Sequence, residues 1–369
     1  MSILENELRK RNYPPILEMN NGDTVTLDNW CERKRELRYL LEQYSYGITP
    51  QAPKKVWGET KFRDELAYAG KVISERVQIY FETDCGVFDF PVEFFIPKKA
   101  KKPAVFLHIA FRPVPDRYIP VEEITDSGYA LAVMVYTDIV NDKGFGNFTD
   151  GLGKYFGTKS ERLGNEWGKI GMWAYCASRV LDYMINDRED VDKSRVIVLG
   201  HSRLGKTALW CAAQDERFAG VVSNDSGYGG AASSKYSTGE HIEDFLRVGT
   251  WDWFCENFKA FSGEKENMKP YDQSFLLAMI APRFLCVGSA ALDKTADPTA
   301  EFLTTLHASQ AWNIFEKKGL VCPDRLPEVG DDFSEGCVGY HLRDNRHYLS
   351  REDWNTYIKF FDHHFKADK

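Results

Sequence analysis

Val196-Ile-Val-Leu-Gly-His-Ser-Arg-Leu-Gly-Lys206 is an apolar, β-branched run that ends in Gly-His-Ser and passes directly into a helical pattern, Thr207-Ala-Leu-Trp-Cys-Ala-Ala213. The stretch predicts a strand, a sharp turn and a helix, with Ser202 at the tip. A serine so placed stands off the carboxyl edge of a sheet, beside helix N-terminal N–H groups that can hold an oxyanion. The spacing departs from G-x-S-x-G: Gly200 precedes Ser202 by two residues, but the next glycine, Gly205, follows by three. A serine in such a turn can also be a plain helix cap, so a nucleophile also needs a base and an acid elsewhere in the chain.

Around this stretch, strand and helix patterns alternate. Arg76 to Glu82 and Val87 to Ile96 flank Asp84-Cys85-Gly86 as a hairpin, and Ala104 to Ala110 and Ala130 to Tyr136 are continuous apolar runs of the kind buried parallel strands show. Ile170, Trp173, Ala174, Ala177, Val180, Leu181 and Met184 make one apolar helix face just before the Ser202 strand. Strands follow at Ala219 to Ser223, Phe284 to Ala290 and Val338 to Arg343, then a last helix with Trp354, Tyr357, Ile358, Phe361 and Phe365 on one face and Ser350 and Asp353 at capping-box spacing. The order implies an α/β fold of the α/β-hydrolase kind, a mainly parallel central sheet with helices on both sides. Residues 1–60 read as an N-terminal helical extension, with one helix from Trp30 to Tyr46, and residues 61–369 as a single domain. Two stretches too long for ordinary connections, 141–164 and 228–271, read as insertions walling a cleft at the carboxyl ends of the strands.

The 369 residues carry a formal net charge of −8 and no Lys/Arg-dense stripe, which excludes nucleic acid as a natural partner. No segment approaches about 18 uninterrupted apolar residues, so no membrane span is expected. The charged N-terminus lacks the pattern of an export signal, and eight scattered cysteines form no C-x-x-C pair. Both favour a reducing, cytoplasmic setting, unless a leader has been trimmed. No cofactor or metal set is evident.

His347 lies four residues past the Val338 to Arg343 strand and just before the last helix, where the base of a Ser, acid, His order belongs. His341 falls inside a strand, His363 and His364 on the polar side of the last helix, and His201 beside the serine itself. Two aspartates can supply the acid: Asp293, after the Phe284 strand, and Asp225, after the strand before it. Arg203 and Lys206 place two cations in the first turn of a helix, against the macrodipole, which favours a role in binding anionic or acceptor-rich groups. Trp251, Phe254, Phe258 and Phe261 share a helical stripe, expected in the core; Trp253 falls off it, free to offer its indole to a sugar ring.

Taken in order, Gly200-His-Ser-Arg-Leu-Gly-Lys206, Ser223-Asn-Asp-Ser-Gly227, Gly229-Gly-Ala-Ala232, Trp253-Phe-Cys255, Asp272-Gln273, Ile280-Ala-Pro-Arg283, Ala296-Asp-Pro298, Glu301-Phe302, Gly339-Tyr-His341 and His347 resemble the bacterial glucuronoyl esterases, carbohydrate esterase family 15. The resemblance implies a metal-independent serine esterase acting on glucuronoyl or 4-O-methylglucuronoyl esters of xylo-oligosaccharides. Ser202 would be nucleophile, His347 base and Arg203 oxyanion stabiliser, with Lys206, Glu240 and Trp253 on the sugar. The family's acid occupies either of two places, matching Asp225 and Asp293. Ile109-Ala-Phe-Arg-Pro113 replaces an Asn-Phe-Gly-Gly-like turn of many relatives. An acetyl esterase of xylo-oligosaccharides, or an inactive binding protein on the same scaffold, are the other readings of these residues.

Overall fold

A computed structural model describes residues 2–142, 146–156 and 162–367. One ten-stranded sheet organises them: β1 (Val56–Leu66), β2 (Val72–Thr83), β3 (Gly86–Pro97), β4 (Val105–Ala110), β5 (Ala130–Val135), β6 (Val196–His201), β7 (Gly220–Asn224), β8 (Phe284–Ala290), β9 (Asp332–Phe333) and β10 (Val338–Arg343), in the order β1-β2-β3-β5-β4-β6-β7-β8-β10-β9. From β5 to β10 the pairing is parallel, while β1, β2 and β3 form an antiparallel wing and β9 pairs antiparallel with β10. The central strands are buried along their whole length, as two-sided helical cover requires. The hairpin and the parallel strands follow the sequence pattern, and the chain has the α/β-hydrolase fold that the alternation of strands and helices implied.

Several elements differ from expectation. β1 and the helix α1 (Ile3–Arg11) carry no clean periodic signal; β1 is an edge strand whose residues are mostly exposed. The helix α2 (Trp30–Tyr44) contributes Trp30, Leu37 and Leu41 to the main core, and Tyr46 just beyond it stacks on Trp210 at 4.5 Å and donates its hydroxyl to the Gly229 carbonyl at 2.9 Å. The N-terminal 46 residues thus share the core of the body they cover. The helix α3 (Lys169–Asp187) was expected to have one apolar face, yet nearly its whole circumference is buried, Lys169 and Arg179 included, since the helix after β6, the strands β1 and β2 and the turn at Trp251–Trp253 all pack on it.

The Trp251 to Phe261 stripe is not an α-helix. It forms two short 3₁₀ turns, Trp251–Trp253 and Glu256–Phe261, broken where Cys255 is extended and gives its N–H to the Ser45 carbonyl at 2.7 Å instead of to a helix. Phe254 and Phe258 are nonetheless core residues, stacked at 4.0 Å. In the last helix, α4 (Arg351–Ala367), His363 is exposed as expected, but His364 is half-buried and stacks on Phe284 at 4.8 Å rather than facing water. Parts of the first insertion, 143–145 and 157–161, lie outside the described residues. Among the described residues no helix is long and apolar enough to cross a membrane.

Candidate active site

Ser202 sits between β6 and the helix α5 (Arg203–Gln214) with φ 59° and ψ −132°, a left-handed backbone conformation costly for a side chain. The two glycines make the turn possible. A Cβ on Gly200 would lie 2.0 Å from the Leu204 carbonyl oxygen, and one on Gly205 would lie 3.0 Å from Ser226 Cβ and 3.1 Å from the Gly200 oxygen. The late glycine is therefore where the helix leans on the Ser226 loop, so its displacement from G-x-S-x-G is a packing requirement. Ser202 makes no side-chain cap, which sets aside the helix-cap reading of the residue. The Ser202 N–H is bonded to the Asn224 carbonyl, 2.8 Å away; that of Arg203, the first helical residue, has no place in the helix ladder.

Phe111, Asp142, Ser202, Asp225, Asp293 and His347 follow the carboxyl ends of β4, β5, β6, β7, β8 and β10, the edge where α/β sheets bind ligands. His347 Nδ1 lies 2.5 Å from Asp293 Oδ2; a charged carboxylate only accepts, so the pair fixes the proton on Nδ1 and leaves Nε2 as an acceptor. The His347 ring is 4.5 Å from that of His201, the neighbour of Ser202 in the chain. Burial opposes the charge on Asp293, but the hydrogen bond and charge of His347 and the Ala296 N–H hold its carboxyl below the usual carboxylate range. His201 is pushed down to about 3 by burial and by His347, so it is a neutral ring, bonded to Asn224 Oδ1 at 2.7 Å.

Asp225 has other partners. Its Oδ2 accepts from Arg343 Nη2 at 3.0 Å and its carboxyl rises well above the usual range through burial and the neighbouring Glu301, against the pull of Arg343. Arg343 in turn binds Asp353, at 2.8 Å, and the carbonyls of Asp344, Arg346 and Tyr348, which clamps the loop that presents His347. Asp353 also closes the capping box with Ser350 and bonds His341 Nε2 at 2.8 Å. Ligand atoms of Asp225, Asp293 and His347 lie within 4.8 Å of one another. The donor set does not suit a cation, because His347 Nδ1 faces Asp293 as a donor and Arg343 already neutralises Asp225.

Beside the serine, the Arg203 guanidinium is ion-paired to Asp142, and it lies 4.5 Å above the Trp253 ring and 5.4 Å from that of Phe111. Trp253 is only 7% exposed, one face taken by Arg203, so it is less a bare platform than expected; its Nε1 is buried without an acceptor in the protein. Lys206 is buried, and its ammonium donates to the Ser226 and Tyr228 carbonyls at 2.7 and 2.6 Å and to Glu240 Oε2 at 3.0 Å, occupying all three of its hydrogens. Arg203, Glu240, Phe245 and Trp253 line a cavity of about 580 Å³, with Lys294 and Thr295 beyond Asp293. Beneath it, Glu301 accepts from the Ser226 and Gly227 N–H groups at 2.8 and 2.9 Å and from Ser289 Oγ at 2.6 Å. Asp142 and Arg343 had no distinguishing mark in the sequence; Asp353 was marked there only as a helix cap with Ser350, and Glu301 only within a motif.

Residues 99–316 match the family model described as fungal glucuronyl esterase. Over 98% of this chain and 91% of its own length, carbohydrate esterase MZ0003 from an unknown prokaryotic organism is 33% identical. The solved glucuronoyl esterase of Solibacter usitatus superposes with a TM-score of 0.86 at 32% identity, covering 95% of this chain and 97% of that one. A 4-O-methyl-glucuronoyl methylesterase of Podospora anserina is 27% identical over 73% of this chain, which spans about half of that longer protein (53%). With the MZ0003 and Solibacter matches running almost end to end, and with Ser202, His347 and their neighbours gathered at one sheet edge, the chain belongs to the glucuronoyl esterase family and is a carboxylic ester hydrolase.

Proposed function

We propose that the chain hydrolyses glucuronoyl or 4-O-methylglucuronoyl esters carried on xylo-oligosaccharides, with Ser202 as nucleophile, His347 as base and Asp293 as the acid that orients it. What carries this reading is the short Asp293 to His347 pair beside the strained Ser202 turn. His347 Nε2 takes the Ser202 Oγ proton as Oγ attacks the ester carbonyl, and the oxyanion is met by the Arg203 N–H and guanidinium. The alcohol leaves with the proton from His347. Water, deprotonated by the same nitrogen, then attacks the acyl-enzyme, and the uronic acid departs as Ser202 recovers its proton.

Lys206 acts through Glu240, holding that carboxylate toward the cavity to accept from sugar hydroxyls, while the Trp253 ring, beneath the Arg203 guanidinium, forms part of the cavity wall. A cytoplasmic location is supported by the eight cysteines, all free thiols. Ser202→Ala is expected to fold normally and to lose turnover of benzyl or methyl glucuronate; retained turnover overturns the proposal. If acetylated xylo-oligosaccharide is turned over faster than methyl glucuronate, the acyl assignment is wrong while the serine mechanism stands.

A further inference from the structure

A second cavity, of about 780 Å³, lies beyond the first and shares Asp244 and Arg247 with it. The end of the helix α1, the turn carrying Lys235 and Tyr236, His241 and Glu243, and the segment from Gly263 to Asn267 build the rest of its wall. Tyr236 is 73% exposed, the most open aromatic ring among the described core-sized side chains that stand out into solvent. Its turn is stiff. Tyr236 has φ 57°, Asp297 Oδ2 accepts from Thr238 N at 2.7 Å and Ser237 Oγ at 3.0 Å, and Ser234 Oγ is held by Lys269 at 2.5 Å. On a turn held in this way the ring can stack on a ligand without the backbone having to be ordered first.

The chemistry of the cavity narrows its occupant. Lys10, Arg11, Lys235 and Arg247 stand among Glu243, Asp244 and Glu266, with Arg247 paired to Asp244 and His241 to Glu266, so charges of both signs are interleaved and both donors and acceptors are on offer. That suits a neutral, hydroxyl-rich ligand, with an aromatic ring for the apolar face of a pyranose. The first cavity alone has more room than one sugar acid fills, and the two share a rim. We propose that the second cavity, with Tyr236 as its platform, is a subsite for the neutral carbohydrate chain attached to the uronic acid whose ester is cleaved at Ser202. The subsite rests on the reading of the first cavity as the uronoyl site.

Two measurements test it. The first compares kcat/KM for benzyl glucuronate with that for a glucuronoyl methyl ester borne on xylotriose, in the wild type, Tyr236→Ala and Tyr236→Phe. Tyr236→Ala is expected to lower the oligosaccharide value three- to ten-fold, mainly through KM, and to leave benzyl glucuronate unchanged; Tyr236→Phe keeps the ring and the wild-type values. The second is calorimetric titration of unesterified xylotetraose into Ser202→Ala and into Ser202→Ala/Tyr236→Ala, where binding is expected to weaken by a similar factor. Equal effects of Tyr236→Ala on both esters, or xylotetraose affinity indifferent to Tyr236, overturn the subsite. Absence of turnover on both esters overturns the uronoyl reading instead, and the calorimetry still reports on Tyr236.

Discussion

Asp293 faces His347 as an anion held by hydrogen bonds, whereas Asp225 is paired with Arg343 in a pocket whose burial, together with the neighbouring Glu301, raises its carboxyl above the usual range. The two aspartates are expected to part company on substitution. Asp293→Asn removes the acceptor that fixes the His347 tautomer and should lower kcat by roughly 10²- to 10⁴-fold with little change in KM. Asp225→Asn should keep kcat within about ten-fold and lower the unfolding free energy by roughly 1–3 kcal/mol, seen as a lower urea midpoint, since it weakens the hold on a buried guanidinium. Steady-state kinetics beside urea titrations separate the outcomes; the reverse pattern makes Asp225 the acid. Both aspartates follow a parallel strand and both stand in turn-like sequence, so nothing local distinguishes them. The distinction comes from Arg343, 118 residues away from Asp225 in the chain, and from a histidine 54 residues away from Asp293.

At the scale of elements, β6, its turn and α5 were legible because the signals there are local: β-branched residues, a glycine two before the serine, and an apolar helix directly after. His347 was legible for a related reason, since strand, loop and helix follow each other within 30 residues. The Trp251 to Phe261 segment was not, because its helical periodicity is real but its backbone hydrogen bonds go to residues far away, Ser45 and Gly164 among them. β1 escaped notice because an exposed edge strand buries too little to impose alternation. Asp142 sits in a loop without pattern, and only the fold brings it to Arg203. The packing of α5 gives a prediction at this scale. Gly205→Ala sets its Cβ 3.0 Å from Ser226 Cβ and 3.1 Å from the Gly200 oxygen, so the helix and the Ser226 loop are expected to part by a few tenths of an ångström, shifting the Ser202 turn. A loss of about 1–3 kcal/mol in stability should accompany a larger fall in kcat than in folded fraction, measured by thermal melting and kinetics on one preparation. Unchanged kcat in a fully folded variant would mean that the turn tolerates the displacement.

For the molecule as a whole, the site rests on a buried acid. Glu301 joins the Ser226 loop to β8 from a fully buried position, and burial, opposed by the Ser289 hydroxyl and the Gly227 N–H, raises its carboxyl to about 7 from 4.5. A carboxyl that binds its proton more tightly folded than unfolded stabilises the fold fully below pH 4.5. That contribution is lost as pH rises through 7. The shift corresponds to about 3 kcal/mol. Glu301→Gln, whose amide mimics the protonated acid, is expected to remove that slope, so wild type and variant stability curves should converge below about pH 4.5, part between there and about pH 7, and keep a constant gap above it, with the variant the more stable. Chemical denaturation at a series of pH values reads this directly; parallel curves would mean that Glu301 stays charged in the folded state.

The ion pair between Arg203 and Asp142 also bears on how a catalytic cycle ends. An ester is neutral, but the acid it becomes is an anion, and an isolated guanidinium beside the scissile carbonyl would retain that anion. With Asp142 already at its side, Arg203 offers a donor for the fleeting oxyanion without a net positive field to trap the finished product. Asp142→Asn should therefore raise affinity for free glucuronate several-fold, seen as stronger product inhibition in progress curves, and identical curves would show that the carboxylate has no part in release. The same neutralised cation gives the cleft no electrostatic preference for acids over esters before the reaction begins.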